Sequence, residues 1–341
     1  MTKAEPFLIG GIAIQPGERR YVDLPLPPLY THTSVAMPVH IVHGKKPGPA
    51  LFLTAAIHGD EINGIEIIRR LLESRSLKRL NGTLVAVPVV NVFGFVSQSR
   101  YLPDRRDLNR SFPGSDRGSM ASRLADTLIQ EIVQNCTHGI DFHTATSGRT
   151  NLPQIRLDLE QHGDSLGLAK AFAAPIIIDM PTRDGTLRAA AKEIPLLLYE
   201  AGEALRFDEV AIKAGVQGTL RVMRHLNMLP ALKRGEKSFE SFIANDSTWM
   251  RAPQSGILRT RIKMGATVNK GDVLGVIADP FGESEQYIKS SVTGILIGMT
   301  NMPLVHEGEA LFHVANTSKT KMAAKAVDEF HMGYEEAGDA H

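Results

Sequence analysis

Short apolar runs alternate with helix-like stretches between residues 50 and 229, and this alternation limits the folds that the chain can adopt. The runs that predict buried strands are Leu51–Ile57, Thr83–Val90, Gly139–Phe142 and Ile194–Tyr199. The stretches with apolar residues at helical spacing are Glu61–Glu73, Met120–Val133 and Glu209–Met228. Strands that alternate with helices favour a mixed, mostly parallel sheet with helices on both faces. We therefore predict an α/β fold.

Side chains that can bind a metal or move a proton follow these apolar runs directly. His58, His143 and Glu200 each come next after one run, and Glu61 lies three residues beyond His58. The remaining run leads into a polar loop that ends at Arg110. In an open α/β sheet, ligands bind outside the carboxyl ends of the strands, so these side chains can converge. Two histidines and two glutamates gathered there indicate a zinc site with a general base.

The segments on either side of this region set the expected domain boundaries. Residues 1–48 are rich in proline and are expected to join the catalytic domain through strands. The two strands predicted there are Arg20–Leu26 and Val35–Val42. The catalytic domain is predicted to span residues 49–240. It would end within the largely polar stretch Ala231–Asn245, which includes Lys233-Arg234-Gly235-Glu236-Lys237.

Residues 241–316 change to short predicted strands and turns, and the sequence pattern of residues 255–274 recurs at 293–311. Two such halves resemble the barrel-sandwich of biotinyl and lipoyl carrier domains, in which a lysine on the turn between the halves carries the cofactor. The corresponding turn, residues 279–285, contains no lysine. We therefore expect a β-rich module that packs against the larger domain and is not a carrier. Residues 317–341 are expected to form a polar tail or a weak helix.

His58 and Glu61 form a His-x-x-Glu pair where a strand is expected to end and a helix to begin. Gly59 would allow a tight turn and Glu61 would lie in the first helical turn, so a nitrogen and an oxygen donor can face one ion. Catalytic zinc commonly has three protein ligands, and two histidines with one glutamate are a known set. The alternative is that Glu61 stabilises the helix N-terminus and His58 is a buried residue at a strand end.

His143 is the expected third ligand. Asp141 precedes it by two residues, so alternation along a strand places both side chains on the same face. Asp141 can then hold the imidazole of His143 or a nearby backbone group. The alternative is a histidine at a strand end that Thr144 caps.

Glu200 ends an apolar run and is the expected general base. Partial burial raises the pKa of a carboxyl group and a nearby metal lowers it, which leaves a base that can take a proton from water. Glu203 lies three residues further along and is an alternative base. A carboxylate at the start of a helix is the structural alternative for Glu200.

Four arginines lie between residues 100 and 110. Arginine presents a planar fork to a carboxylate, and a second cation can stabilise the oxyanion that forms when water attacks a carbonyl. Asn109, Arg110 and Arg100 are therefore expected to complete the site, with a solvated turn as the alternative. A second His-x-x-Glu pair, His306 and Glu309, has no evident third ligand, and we predict a surface turn there.

The whole pattern resembles the succinylglutamate desuccinylase/aspartoacylase family, a branch of the zinc carboxypeptidase-like fold. Four motifs carry this resemblance, in the family's order: His58-Gly59-Asp60-Glu61, Asp107-Leu108-Asn109-Arg110-Ser111-Phe112-Pro113-Gly114, Asp141-Phe142-His143-Thr144 and Tyr199-Glu200-Ala201-Gly202. The resemblance extends over about residues 45–315 and includes the β-rich module.

The resemblance implies a role for each residue of these motifs. The zinc ligands, for one ion per chain, would be His58, Glu61 and His143. Glu200 would be the general base, and Asn109 with Arg110 would bind the carboxylate of the substrate.

Arg100 best matches the family's arginine that polarises the scissile carbonyl. Arg105 and Arg106 are alternatives, because the spacing from Arg100 to Arg110 is slightly longer than in aspartoacylase proper.

The implied activity is hydrolysis of the amide bond of a small N-acyl amino acid or related N-acyl amine. A metallocarboxypeptidase that acts on short peptides is the alternative, since it shares the same metal ligands. A non-enzymic binding protein is a third hypothesis. The acyl group and the amine stay open, because the C-terminal module diverges from that of aspartoacylase.

Composition restricts the partners and the compartment. A formal net charge of +1 gives no electrostatic case for binding nucleic acid or an anionic membrane. No apolar stretch approaches the roughly 20 residues of a membrane span, and the N-terminus lacks the apolar region of a signal peptide. The single cysteine, Cys136, fits a reducing compartment. We expect a cytoplasmic enzyme with a small-molecule substrate and leave a homo-oligomer open.

Overall fold

The computed structural model describes residues 4–160, 165–232 and 240–335. Its strands, β1 to β19, are Phe7–Ile9, Ile12–Ile14, Arg19–Leu26, Val35–His43, Lys46–Ala55, Asn81–Val87, His138–Ala145, Arg149–Leu157, Ile176–Asp179, Leu196–Glu203, Phe242–Ala244, Ser247–Arg251, Gly256–Thr260, Thr267–Val268, Val273–Ala278, Glu285–Lys289, Gly294–Thr300, Leu304–Val305 and Ala310–Asn316. Its α-helices, α1 to α7, are Asn63–Glu73, Val92–Val96, Met120–Glu131, Ser165–Phe172, Leu187–Ala190, Glu209–His225 and Thr320–Glu335. Short 3-10 helices lie at Arg75–Arg79, Leu108–Arg110 and Val133–Asn135.

Most of these strands belong to one mixed sheet of 13 strands. Its main path runs β12-β19-β17-β8-β10-β7-β5-β6-β4-β3, with β14 on β17 and the pair β9 and β11 on β8. The centre, from β6 through β5 and β7 to β10, is parallel. Antiparallel strands flank it, with β4 and β3 on one side and β8 on the other. The predicted mixed α/β fold is confirmed.

The two faces of the sheet carry separate hydrophobic cores, because successive side chains of a strand point to opposite faces. Leu51 and Leu53 of β5 pack in one core with residues of α1, α4 and α6. Phe52, between them, packs in the other core with residues of α3 and of the N-terminal strands. Helices therefore cover both faces, as the alternating pattern predicts.

The first helix of this region begins later than the sequence pattern predicts. Its first residue is Asn63, whereas the pattern places Glu61 in the first helical turn. The backbone N–H of Glu61 instead donates to the carbonyl of His58, at 3.1 Å, so Glu61 belongs to the turn that precedes the helix.

The C-terminal module contains two facing sheets whose strands come from both copies of the repeat. β16, β15, β13 and β18 form a separate four-stranded sheet. β18, from the second copy, pairs with β13 of the first, and β14 of the first copy pairs with β17 of the second. β17 also pairs with β8, so the large sheet continues from β8 into the module without a break.

Residues 320–335, expected as part of a polar tail or a weak helix, form the helix α7. Ala323, Val327 and Phe330 are buried along it at helical spacing, which explains why this segment packs against the body instead of extending as a tail. Residues 233–237, named above at the expected boundary, lie outside the described residues. Among the described helices, none is both long and apolar enough to cross a membrane.

Candidate active site

The expected site residues meet at the carboxyl end of the parallel centre of the sheet. β5, β7 and β10 are neighbours there. His58 and Glu61 follow β5, whereas His143 and Glu200 lie within the last residues of β7 and β10. The Cα atoms of His143 and Glu200 are direct partners in the ladder between β7 and β10, because these two strands stay paired beyond the predicted apolar runs.

Three buried side chains at this point form a group that could hold a metal ion. One ligand atom from each of His58, Glu61 and His143 lies within 4.8 Å of the others. Nδ1 of His58 is 2.6 Å from Oε1 of Glu61, and Nδ1 of His143 is 2.8 Å from Oε2. The backbone N–H of Thr144 donates to the same Oε2, at 3.0 Å. The Glu61 carboxylate thus faces both imidazoles.

The outer nitrogen of each histidine contacts a carboxylate. Nε2 of His143 is 2.8 Å from Oδ2 of Asp141, so the contact expected from their spacing is present. Nε2 of His58 is 3.2 Å from Oδ1 of Asp107, a contact that the sequence did not predict. These carboxylates fix the orientation of the rings, which is the usual arrangement around histidines that bind a metal.

The three buried groups shift one another's pKa. Burial lowers the pKa of His143, but Asp141 and Glu61 outweigh this effect and raise it well above its ordinary value. Burial also lowers the pKa of His58, and Glu61 and Asp107 again raise it overall. Burial raises the pKa of Glu61, yet the two histidines hold it far below its ordinary value. The Glu61 carboxylate is therefore ionised between the two imidazoles.

Glu200 lines the same cavity and is held at both oxygens. Nδ2 of Asn151 donates to Oε2 at 2.6 Å, and NH1 of Arg156 lies 3.1 Å from Oε1. Both partners come from β8, which runs antiparallel to β10.

Glu203, the alternative base, is directed elsewhere. Its Oε1 accepts from the backbone N–H of Gly148 at 2.9 Å, and its Oε2 accepts from Nδ2 of Asn301 at 2.8 Å. Glu200 and Glu203 are three residues apart on β10, an odd separation that places side chains of a regular strand on opposite faces, and the register of β10 shifts between them. Glu200 lines the cavity and Glu203 does not.

Arg100 is the arginine of the loop that lies beside the candidate metal ligands. Its NH1 donates to Oε1 of Glu61 at 3.3 Å, and its NH2 donates to Oδ2 of Asp107 at 2.9 Å. Arg105 and Arg106, both in the described part of the chain, are exposed and lie outside the cavity lining. The structure therefore places Arg100, and not its two alternatives, at the site.

Asn109 and Arg110 line the cavity on a short 3-10 helix that follows Asp107. The Asp107 carboxylate accepts from the backbone N–H of Asn109 at 2.8 Å, which ties this turn to His58. Oδ1 of Asn109 accepts from the backbone N–H of Leu187 at 2.9 Å. Arg110 is exposed at the edge of the cavity, and its NH1 donates to the carbonyl of Asn109.

The cavity has a volume of about 550 Å³, and the C-terminal module forms part of its wall. Trp249 and His313 of the module are stacked there, with ring centroids 4.4 Å apart. The guanidinium of Arg149 lies 5.6 Å from the centroid of the Trp249 ring. Burial, together with the positive charge of Arg156, lowers the pKa of His313 to about 3, so this ring is neutral.

The second His-x-x-Glu pair flanks an exposed turn between β18 and β19, as predicted. The backbone N–H of His306 donates to the Glu309 carboxylate at 3.1 Å. Among the described residues, the group that could hold a metal is the one at His58.

Sequence reasoning missed several residues of the site. Those on the cavity wall are Asn151, Arg156, Trp249 and His313. Asp107, which contacts His58, is a further one that lies outside the wall. Asp107 is the first residue of the motif that ends at Gly114, and its place in that motif was the sequence signal that could have identified it. The others lie on strands whose pairing partners no local pattern specifies.

Comparison with known proteins places this site in a family. Residues 47–226 match the model of the succinylglutamate desuccinylase/aspartoacylase catalytic domain. An N-alpha-acetyl-L-2,4-diaminobutyric acid deacetylase from Halomonas elongata is 28% identical over 258 residues, which cover 72% of this chain and 75% of that protein.

Solved structures share the fold. The product-bound ectoine utilization protein EutE (DoeB) from Ruegeria pomeroyi has a TM-score of 0.81 at 24% identity, over 93% of this chain and 98% of that one. A succinylglutamate desuccinylase/aspartoacylase from Rhodobacter sphaeroides has a TM-score of 0.76 at 24% identity, over 87% of this chain and 95% of that one. The similarity to these structures covers the C-terminal module as well as the catalytic sheet.

Proposed function

Because this chain belongs to the succinylglutamate desuccinylase/aspartoacylase family, we propose that it is a zinc-dependent hydrolase of small N-acyl amino acids or related N-acyl amines. The observation that carries the proposal is the convergence of three buried metal-type ligands and Glu200 on one cavity. The cavity volume, about 550 Å³, is typical of sites for small molecules. The products would be a carboxylate and a free amine.

The donor set fits zinc. His58, Glu61 and His143 offer two nitrogens and one carboxylate oxygen, a combination found in catalytic zinc sites that leave one position open. The carboxylates on the outer nitrogens of both histidines would keep the rings oriented toward the ion. Zinc would supply Lewis acidity, which polarises a carbonyl oxygen and lowers the pKa of water.

Glu200 has the position of a general base. Its carboxylate lies on the cavity wall, on the strand next to that of His143. We assign to it the proton of the attacking water, which it would then deliver to the nitrogen of the leaving amine as the amide bond breaks.

The arginines divide two tasks between them. Arg100, next to Glu61, would stabilise the negative charge that develops on the carbonyl oxygen during attack. Arg110, at the cavity edge, presents the planar fork that suits the carboxylate of the substrate, with Asn109 beside it.

The test combines metal analysis with a matched pair of variants. Purified protein is expected to contain about one zinc per chain. Glu200→Gln is expected to keep the metal and to lose about 10²- to 10⁴-fold in kcat. Glu203→Gln, three residues along the same strand but outside the cavity, is the control and is expected to stay active. Protein without metal, or a fully active Glu200→Gln variant, would contradict the proposal.

A substrate panel then separates the candidate reactions. It contains acetyl-, succinyl- and formyl-amino acids and includes Nα-acetyl-2,4-diaminobutyrate, the compound named for the relative from Halomonas elongata. Hydrolysis of short peptides without hydrolysis of these compounds would favour a metallocarboxypeptidase.

We also propose the cytoplasm as the compartment, because Cys136 is a free, buried thiol.

A further inference from the structure

A strand pairing between the C-terminal module and the catalytic sheet lies next to Glu200. β17 of the module pairs with β8, and Gly298 is opposite Asn151. On its other side, Gly298 is opposite His313 of β19. Gly298, which has no side chain, thus lies between Asn151 of β8 and His313 of the module, and both of these residues line the cavity.

Asn151 is one of the two partners that orient Glu200. It is 7% exposed, and its Nδ2 donates to Oε2 of Glu200 at 2.6 Å. Arg156 occupies the other oxygen, at 3.1 Å. Each carboxylate oxygen therefore has a fixed partner, and the amide of Asn151 makes the shorter contact.

The amide of Asn151 occupies space that only glycine at position 298 leaves free. A Cβ on Gly298 would lie 2.8 Å from Oδ1 of Asn151, closer than real Cβ contacts, and 3.3 Å from the Cβ of His313. Oδ1 and Nδ2 belong to one rigid planar amide. A side chain at position 298 would therefore move the donor away from Glu200 when it displaced Oδ1.

We propose that the C-terminal module positions the general base, because Gly298 provides the space in which Asn151 holds the Glu200 carboxylate for proton transfer. The inference rests on the proposed role of Glu200. Asn151 and Gly298 are positioning residues, since they act through Glu200. The physical reason is that a misplacement of about 1 Å in a reacting group can lower a rate by about 10²-fold.

The first experiment asks whether the amide donor of Asn151 matters, or only its shape. Asn151→Leu keeps the branched shape and loses the donor without adding a charge beside Glu200, whereas Asn151→Ala loses both the shape and the donor. The assay uses the zinc-loaded full chain and the panel compound that the wild type hydrolyses fastest. Both variants are expected to lose about tenfold or more in kcat, which is part of the rate enhancement that a general base contributes. KM is expected to stay within about twofold, because uniform substrate binding is retained.

Two results would overturn this role for Asn151. Wild-type kcat in Asn151→Leu would mean that the side chain only fills space. A raised KM with unchanged kcat would mean that it binds substrate and does not position the base. Zinc content and Tm are measured for each variant, so that loss of metal or of folding is recognised.

The second experiment tests the link to the module with a double-mutant cycle. Gly298→Ala is expected to lower kcat about three- to tenfold in the wild-type background, a smaller loss than that of the base itself. It is expected to have almost no further effect in Asn151→Ala, because the nearest atom that the new Cβ would meet, Oδ1 of Asn151, is gone. Gly167→Ala is the control, since its Cβ would make only an ordinary contact, 3.5 Å from the His225 ring.

The outcomes separate this inference from the proposed function. If Glu200→Gln is inactive but Gly298→Ala lowers kcat equally in both backgrounds, the positioning by Gly298 is refuted and the proposed function stands. If no panel compound is hydrolysed, the proposed function fails. The same cycle measured as unfolding free energy then still tests the contact, and an equal loss of stability in both backgrounds would refute it.

Discussion

Gly64→Ala is expected to disturb the metal site from outside it. Gly64 lies in the first turn of α1, three residues after Glu61, where the helix packs directly on the sheet. A Cβ there would be 2.5 Å from the Cβ of Phe142 and 2.7 Å from the Cβ of Ala55. Both atoms are attached directly to strand backbone, so neither can move aside. An ordinary contact begins at 3.4 Å, so the helix would have to shift from β7 by about 0.9 Å.

Two opposing terms set the magnitude. Alanine gains up to about 1 kcal/mol over glycine inside a helix, and less in its first turn. Overpacking a well-filled core costs about 1–3 kcal/mol. We expect a net loss of about 1–2 kcal/mol in the free energy of unfolding. Because the shift carries Glu61 away from His143, zinc affinity is also expected to fall by about 10- to 100-fold, as when the support of a metal ligand is lost.

The assay pairs this variant with Gly167→Ala in α4. There the new Cβ makes only an ordinary contact, so helix propensity alone acts and the variant is expected to be stabilised. Unfolding free energies come from denaturant titration of the metal-free protein, and zinc affinity comes from competition with a chelator. If Gly64→Ala is stabilised like Gly167→Ala, or binds zinc as tightly as the wild type, the close packing of α1 on the sheet is refuted.

Three further predictions concern pH, thiol reactivity and metal removal. The pKa of His313 is about 3 in the folded protein and near 6.5 in the unfolded chain, so between these pH values the folded state binds fewer protons. The contribution of the neutral His313 ring to stability is therefore complete above pH 6.5 and is lost as the pH falls toward 3. His313→Gln should therefore lose less stability than the wild type between pH 7 and pH 4.5 in denaturant titrations, and an identical loss would contradict the assignment. Burial raises the pKa of the Cys136 thiol to about 12, so a thiol reagent at pH 8 should react only at the rate of unfolding, and rapid labelling of the native protein would argue against it. Zinc at a hundredfold excess over its Kd should add about 2.7 kcal/mol of stability, and a chelator should lower the Tm of the wild type but not that of His143→Ala.

The position of most candidate site residues could be predicted from sequence because the relevant signals are local. Burial gives strands such as β5 their continuous apolar sequence, and the polar residue that ends each run marks the sheet edge. His58, His143 and Glu200 were each located in this way. The contact between Asp141 and His143 follows equally from the alternation of side chains along one strand.

The remaining parts of the site depend on which strands pair and in what register. Asp107 contacts His58 across 49 residues of sequence, and Asn151 contacts Glu200 across the same separation. The partners that hold Glu203, Gly148 and Asn301, also come from distant segments. No local pattern encodes these features.

The sequence by itself determined the elements of the fold, the family pattern and the residue types that can bind a metal, because periodic burial and motif spacing are written along the chain. Only the tertiary structure decided which arginine lies beside Glu61, what orients Glu200 and how the module enters the cavity wall. The physical reason is that these contacts join side chains from distant segments. Their geometry is fixed by strand register and by the packing of glycines such as Gly298, which depend on the whole chain.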